Sequence, residues 1–312
     1  MPGSPETQTG PFVRLDTNGY TLSVAENQTS TYEWIDSDRS LDAYRKLLRD
    51  EKVKTVAMDF EAEYNLHHYG ERLCLIQIYD GNRFALVDAP AITDDPLVEF
   101  LEDRQVLKLF FDVGSDAALV KKQYDAEIGS VLDLRLVADA VGDKPGGLSK
   151  VLETHLGIAS TAKKEAFQRY DWTRRPIEPD AIEYALQDVR YLFQLKDALL
   201  ADVANAGLVE SLASAIARTM VYSVNKRRPN RRMNAIRRQL SAQQLRLYEA
   251  IDRVREGVAM IVDRPKDQVI RNDDVLRLAK GEKTAKNCQF GRAVPGDLRP
   301  ILEKEIARAI RK

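Results

Sequence analysis

Short apolar runs broken by turn residues dominate the first third of the chain after its polar start. Four of these runs are rich in β-branched and aromatic residues, and we interpret them as strands: residues 53–61, 72–79, 83–87 and 106–111. Asp80-Gly81-Asn82 separates the second run from the third, which predicts a hairpin. The first three strands therefore follow one another directly along the chain.

Helical periodicity replaces this pattern later in the chain. It predicts helices near residues 96–101 and 116–124, a long helix over about 179–205 and another over about 209–222. The predicted order, consecutive strands first and then strands alternating with helices, indicates an α/β domain in which helices cover a mixed sheet. Ser241 is placed to cap a helix over 242–262, Asn272 opens another, and a last helix runs from Leu298.

These patterns predict an N-terminal extension of residues 1–30, an α/β domain of residues 31–225, a basic linker of residues 226–240 and an all-helical domain of residues 241–312. The first residues are rich in Pro, Gly, Ser and Thr, so we expect partial disorder there. Two cysteines provide no disulfide framework.

The apolar runs fall far short of the ~20 residues of a membrane span, and no secretory signal is visible at the start. We therefore expect a cytoplasmic protein without membrane contact, and no feature of the sequence demands an obligatory protein partner.

The charge is unevenly distributed, although the net charge is only −1. Residues 211–248 contain nine basic residues and no acid, and the densest part includes Arg227, Arg228, Arg231 and Arg232. A basic stretch in an otherwise acidic protein favours contact with nucleic-acid phosphates. A solvated, inert linker is the alternative interpretation.

Candidate chemistry lies in three separate stretches. Asp59 and Glu61 close the first strand and point to the same side of it, because strand side chains alternate. Tyr184 and Asp188 are four residues apart and share one helix face. Asp116 opens a helix, with Asp112 as a rival acid just before it. Four carboxylates are a plausible ligand set for two hard divalent ions, which can promote in-line displacement at phosphorus.

Each stretch alone is weak evidence. Asp59 and Glu61 have the pattern of a solvated strand end, Asp116 that of an acid favouring the helix dipole, and Tyr184 with Asp188 that of an ordinary helix face. Their order, their separations and the sequence around them raise the significance of the set.

Residues 31–203 resemble the ribonuclease D family of 3′–5′ exonucleases, the DEDD group with tyrosine in its third motif. The resemblance includes residues 72–79 after the acidic pair, the helix that ends at Leu156-Gly157, and Trp172-Thr173-Arg174-Arg175-Pro176 before the third motif. A ribonuclease-H-like fold suits the predicted mixed sheet. None of the three histidines occupies the position of Tyr184, which excludes the sister group with histidine there.

The resemblance implies that Asp59, Glu61, Asp116 and Asp188 hold two divalent ions, Mg²⁺ or Mn²⁺, and that Tyr184 orients the attacking water. Where the family often has a histidine, five residues before Asp116, this chain has Phe111. The C-terminal helices resemble one helicase-and-RNase-D C-terminal (HRDC) domain. A helical bundle that only supports the nuclease is the alternative.

The resemblance therefore implies an enzyme, a metal-dependent 3′–5′ exoribonuclease. It would trim RNA with a free 3′ end, such as tRNA or another stable RNA, and release 5′-monophosphates. Two alternatives stay open: an exonuclease that acts on single-stranded DNA, and a non-catalytic RNA-binding scaffold on the same fold.

Overall fold

A mixed six-stranded sheet organises the first part of the chain. The structure, a computed structural model, describes residues 30–143, 146–159, 167–222 and 231–311. The expected N-terminal extension therefore lies outside the described residues. The strands of the sheet are β1 (Tyr32–Ile35), β2 (Thr55–Tyr64), β3 (Glu71–Tyr79), β4 (Phe84–Asp88), β5 (Leu107–Phe110) and β6 (Val131–Asp133).

The strand order β1-β4-β3-β2-β5-β6 puts β2 near the middle of the sheet. β3 and β4 are antiparallel and form the predicted hairpin, with Gly81 at φ +94° in its turn. β5 runs parallel to both β2 and β6, and β1 runs parallel to β4. The prediction of a mixed sheet is confirmed.

Helices follow the strands in this part of the chain. They are α1 (Asp38–Asp50), α2 (Asp94–Glu102), α3 (Gly114–Tyr124), α4 (Leu134–Ala140), α5 (Leu148–Leu156), α6 (Pro179–Arg190), α7 (Leu192–Asn205) and α8 (Val209–Tyr222). The sequence interpretation missed the helices α1 and α4 and the short strands β1 and β6. β1 and β6 have only four and three residues, which carry little periodicity, whereas the equally short β5 lies within a longer apolar run.

The long helix expected over 179–205 is two helices, because Tyr191 leaves the helical conformation at φ −109° and ψ 6°. Most of the buried face of α6 packs into a different core from that of α7, although Val189 at the end of α6 joins the core of α7. Ala181 and Ala185 of α6 join a cluster with β3 and β4, whereas Leu195 and Leu199 of α7 join a cluster with α4 and α5. The break at Tyr191 separates the residues of α6 that pack against β3 and β4 from those of α7 that pack against α4 and α5.

The sheet is buried on both faces. On β2, Met58 and Phe60 point into a core shared with α1, α2 and α3, and Ala57 points into the core of α4, α5 and α7. On β5, Phe110 points into the first of these cores and Leu109 into the second. Phe60 and Phe110 meet edge to face with ring centroids 5.5 Å apart, which fixes β2 against β5.

A second compact unit contains residues 231–311 together with residues 63–72. Its helices are α9 (Arg231–Gln239), α10 (Ala242–Ile261), α11 (Lys266–Val269), α12 (Asn272–Lys280) and α13 (Leu298–Arg311). Ser241 caps α10 through a capping box with Gln244, as the sequence predicts. The helix α9 lies inside the expected linker, since Met233 and Ile236 pack into the core of this unit.

Residues 63–72 join this unit through Asp263, although the sequence interpretation assigned them to the α/β domain. The Asp263 carboxylate accepts hydrogen bonds from the Tyr69 backbone N–H (3.1 Å) and the Arg72 guanidinium (2.9 Å), and lies 2.7 Å from Nδ1 of His68. The Tyr69 hydroxyl donates to Glu256 at 2.9 Å. Contacts so distant in sequence leave no local signal.

Within the described ranges, we find no helix with both the length and the apolar character that a membrane crossing requires.

Two neighbouring leucines of α7 test the assignment of the core. Leu199 is fully buried and Leu200 is 37% exposed. We expect Leu199→Ala to lower the free energy of unfolding by roughly 2–5 kcal/mol, because it leaves a cavity. Leu200→Ala is the matched control, and it should cost less than about 1 kcal/mol. Urea denaturation measures both. Equal losses would contradict the packing of α7.

Candidate active site

The alternation of β2 places two acids on one side of the strand. Phe60 and Ala62 are buried in the core beneath α1 and α3, so Asp59 and Glu61 face the opposite side of the sheet, where both are half-buried. The acids continue the side of β2 on which Ala57 is fully buried. The strand therefore carries them on a backbone that the core holds in place.

The helix α6 supplies the other two groups. Pro179 occupies its first turn, and Ala181, Ala185 and Leu186 fix its buried face. Tyr184 and Asp188 are one turn apart on the half-buried face. This is the arrangement that the spacing of four residues predicts.

Asp59, Glu61 and Asp188 converge in the folded chain. One carboxylate oxygen of each lies within 4.8 Å of the other two. Two oxygens bound to one small divalent cation are separated by up to about 4 Å, so a small adjustment of side chains would let all three bind one ion. Carboxylate oxygens are also the ligands that Mg²⁺ and Mn²⁺ prefer. The donor set therefore fits a hard divalent cation.

Tyr184 lies in the electrostatic field of these carboxylates. Burial raises the pKa of its phenol, and the negative charges of Asp188, Glu61 and Asp59 raise that pKa further. The phenol is therefore protonated at neutral pH. A protonated hydroxyl can both donate and accept hydrogen bonds.

Aromatic side chains hold the Tyr184 ring. Its centroid lies 5.5 Å from that of Phe167 and 6.3 Å from that of Trp172. Tyr170 meets Trp172 at 4.9 Å and Phe167 at 5.9 Å, so the four rings form one cluster. The sequence interpretation gave Phe167 no role. The three aromatic residues between positions 167 and 172 are the sequence feature that could have predicted such a role.

The segment that carries Trp172 is fastened by Arg175. This guanidinium donates from Nε to Asp88 at 2.9 Å, and it also donates to the backbone carbonyls of Cys74 (2.9 Å) and Trp172 (2.8 Å). Asp88 ends β4 and Cys74 lies on β3. One arginine thus fixes the Trp172 segment to two strands beside the acidic cluster.

Asp116 is not among the three acids whose oxygens lie within 4.8 Å of one another. It lies in the first turn of α3 and is buried, with 8% of its surface exposed. Asp112, the rival acid, is exposed and has the left-handed φ of +64°. Its backbone N–H donates to Asp133 at 2.8 Å, and burial raises the pKa of the Asp133 carboxyl. The buried position favours Asp116 over Asp112 as the functional acid.

The structure describes the backbone of two of the four basic residues expected to contact nucleic acid. Arg227 and Arg228 lie outside the described residues. Arg231 and Arg232 begin α9, in the second compact unit.

Residues 32–204 match the profile of a protein family described as 3′-5′ exonuclease. A ribonuclease D of Haemophilus influenzae is 30% identical over 147 residues, which cover 46% of this chain and 36% of that protein. The match thus spans about a third of that relative's length.

Two solved structures share the fold over most of this chain. Escherichia coli RNase D, described as an exoribonuclease involved in structured RNA processing, has a TM-score of 0.67 at 22% identity and covers 90% of this chain and 74% of its own. The catalytic core of RRP6 from Trypanosoma brucei has a TM-score of 0.72 at 20% identity, with coverages of 91% and 80%. At these identities the likeness concerns the fold alone.

Replacing Arg175 by lysine tests its role as a fastener. Lysine keeps the charge but loses the planar fork that reaches Asp88 and two carbonyls at once. We expect Arg175→Lys to destabilise the protein by roughly 1–3 kcal/mol, and to increase acrylamide quenching of tryptophan fluorescence. Arg174→Lys is the matched control, since Arg174 is 63% exposed and lies 3.6 Å from Glu178. An unchanged stability and quenching in Arg175→Lys would contradict this role.

Proposed function

This chain belongs to the 3′–5′ exonuclease family, and we propose on that premise that it is a metal-dependent 3′–5′ exoribonuclease that trims RNA 3′ ends. The observation that carries the proposal is the convergence of Asp59, Glu61 and Asp188, with Tyr184 one helical turn from Asp188. Ribonuclease D proteins among its relatives make RNA the favoured substrate.

The cofactor we propose is a pair of divalent ions, Mg²⁺ or Mn²⁺. Asp59, Glu61 and Asp188 would hold one of them, and Asp59 and Asp116 would support the second. When bound, such ions supply Lewis-acid chemistry, which activates water and offsets the charge that develops on the leaving oxygen. The crowding of three carboxylates within 4.8 Å supports this assignment, since a cation relieves their mutual repulsion.

The reaction we propose is hydrolysis of the last phosphodiester bond. A bond forms between water oxygen and phosphorus, and the bond from phosphorus to the 3′-oxygen of the preceding nucleotide breaks. The terminal nucleoside 5′-monophosphate leaves, and the 3′-oxygen takes up a proton. Repetition shortens the RNA from its 3′ end.

Tyr184 would orient the attacking water through its hydroxyl. Burial and the neighbouring acids raise the pKa of this phenol, so its hydroxyl is available to donate and to accept hydrogen bonds. Phe167 and Trp172 flank the ring and restrict its rotation. A restricted hydroxyl lowers the entropic cost of reaching the reactive arrangement.

RNA would also meet the basic residues outside the catalytic cluster. We propose that Arg227, Arg228, Arg231 and Arg232 contact phosphates, which gives affinity without sequence specificity. The second unit would then act as an HRDC-like domain. Processing of tRNA or another stable RNA, and a cytoplasmic location, remain predictions for this chain.

A labelled-substrate assay tests the function. The protein is incubated with 5′-labelled single-stranded RNA and with matched DNA, in Mg²⁺, Mn²⁺ or EDTA. We expect a metal-dependent ladder that shortens RNA from its 3′ end. A ladder from DNA alone would indicate an exodeoxyribonuclease. Binding of RNA without hydrolysis under every metal would indicate a scaffold.

Asp116→Asn and Asp112→Asn form a matched pair in the same assay, since each removes one carboxylate. We expect Asp116→Asn to lower the hydrolysis rate by at least 100-fold, because a supporting ligand of the ions is lost. Asp112→Asn should retain the wild-type rate, since that side chain is exposed and asparagine tolerates its left-handed φ. The reverse result would make Asp112 the functional acid.

Tyr184→Phe separates orientation of water from binding of RNA. The substitution removes one hydroxyl and keeps the aromatic ring between its neighbours. We expect turnover to fall by roughly 10- to 100-fold while RNA affinity stays within about twofold, because the hydroxyl acts on the transition state. Single-turnover rates and RNA titration in EDTA measure the two effects. A wild-type rate would remove Tyr184 from the mechanism.

A further inference from the structure

A cleft with a cationic rim lies at the start of β2, away from the acidic cluster. Its volume is about 240 Å³, and five cations and one carboxylate are among its lining residues: Arg45, Arg49, Lys52, Lys54, Lys108 and Asp103. Lys54 directly precedes β2, and Asp59 lies five residues further along. At about 3.3 Å per residue, the cleft is roughly 17 Å from Asp59 along the strand.

Three of these cations form no ion pair within the described ranges, although the Glu99 carboxylate lies close enough to Arg49 to interact with it electrostatically. Across the described ranges, the side chains of Arg49, Lys52 and Lys54 make no hydrogen bond and no ion pair, and all three are exposed. Arg45 differs, because it pairs with Glu99 at 2.7 Å. Three unpaired cations around one cleft create a positive potential that favours an anion.

Backbone N–H groups already hydrogen-bond to carbonyl groups in the last turn of α1, so these side chains are not needed there. The backbone N–H of Lys52 donates to Arg49, and that of Val53 donates to Leu48, which closes the last turn of the helix. Lys52 holds the left-handed φ of +56°, a conformation in which glycine is usual at the end of a helix. A lysine at this position is unfavourable for the backbone, and its charge is available to a ligand.

Lys108 adds a buried positive charge beneath the rim. Its ammonium group donates to the carbonyls of Asp103 (2.6 Å), Gly129 (2.9 Å) and Val106 (3.4 Å), and only 1% of the residue is exposed. Burial lowers the pKa of this amine to about 8, while the Asp103 carboxylate acts in the opposite direction. Its carbonyl partners satisfy its donors but do not neutralise it, so a bound anion would stabilise the charged form.

The floor of the cleft is apolar. Leu48, Val56 and Phe100 are buried there, and Val53 and Val106 are half-buried at its sides. An apolar floor below a cationic rim matches a ligand that joins a flat, weakly polar ring to a phosphate. Inorganic phosphate would fill only the rim, and a nucleoside without phosphate would leave the cations unpaired.

We infer that this cleft binds a nucleoside monophosphate, with its phosphate among Arg49, Lys52 and Lys54 and its base against Val53 and Val106. The binding does not depend on hydrolysis. It is therefore independent of the exonuclease activity proposed above.

Calorimetric titration with AMP tests the inference on the full chain. EDTA is present and the background is Asp188→Asn, so that the acidic cluster does not contribute. We expect AMP to bind, with inorganic phosphate and adenosine each at least tenfold weaker. The triple variant Arg49→Gln, Lys52→Asn, Lys54→Gln should lose at least tenfold in AMP affinity. Asparagine is chosen at residue 52 because it tolerates a left-handed φ.

A second triple variant controls for the loss of charge alone. Lys46→Gln, Lys121→Gln and Lys150→Gln remove three cations that are 70%, 41% and 68% exposed and that pair with nearby acids. This variant should bind AMP with wild-type affinity. Equal losses in both triple variants would overturn the inference, since they would indicate only a general effect of net charge.

Valine methyl resonances locate the ligand and show whether the cleft binds a free nucleotide or an RNA chain. On addition of AMP, the Val53 and Val106 signals should shift, while those of Val189 and Val203, buried in another core, should not. The same titration with a short single-stranded RNA distinguishes a phosphodiester from a monoester. Shifts at Val53 and Val106 with RNA but not with AMP would overturn the nucleotide assignment. So would the absence of any AMP binding at millimolar concentration.

Discussion

The crowding of like charges where the middle of β2 meets α6 is the constraint on which the site depends. Asp59, Glu61 and Asp188 have oxygens within 4.8 Å of one another. At an effective dielectric constant of about 20, two charges at that separation repel by about 3–4 kcal/mol before any compensation. A flexible segment would relax by moving the acids apart. Here buried side chains hold the backbone of both elements in place: Phe60 and Ala62 on β2, and Ala185 and Leu186 on α6.

The same burial sets the chemistry of Tyr184. The aromatic cluster that restricts the ring also removes water from it, and this desolvation is the largest cause of its raised pKa. Arg175 fastens the Trp172 segment to β3 and β4, so the position of the phenol depends on the sheet as well as on α6. The packing around Tyr184 therefore affects both the mobility of its ring and the pKa of its phenol.

Local order was predictable from the sequence, whereas convergence in space was not. The alternation of β2 and the spacing of four residues on α6 each follow from periodicity, and both predictions are confirmed. No local pattern brings Asp188 to Asp59, and only the family resemblance linked them. The break at Tyr191 and the attachment of residues 63–72 to Asp263 also escaped, because each is decided by contacts that are distant in sequence.

The strand β2 separates charges of opposite sign along its length. Cations surround its start at Lys54, and acids occupy its later part at Asp59 and Glu61. The roughly 17 Å between them is about twice the Debye length of about 8 Å at physiological salt. Direct electrostatic coupling is therefore weak. A ligand in the cleft could influence the acids only through the packed strand, so any such effect should persist when salt is raised but the ligand remains bound.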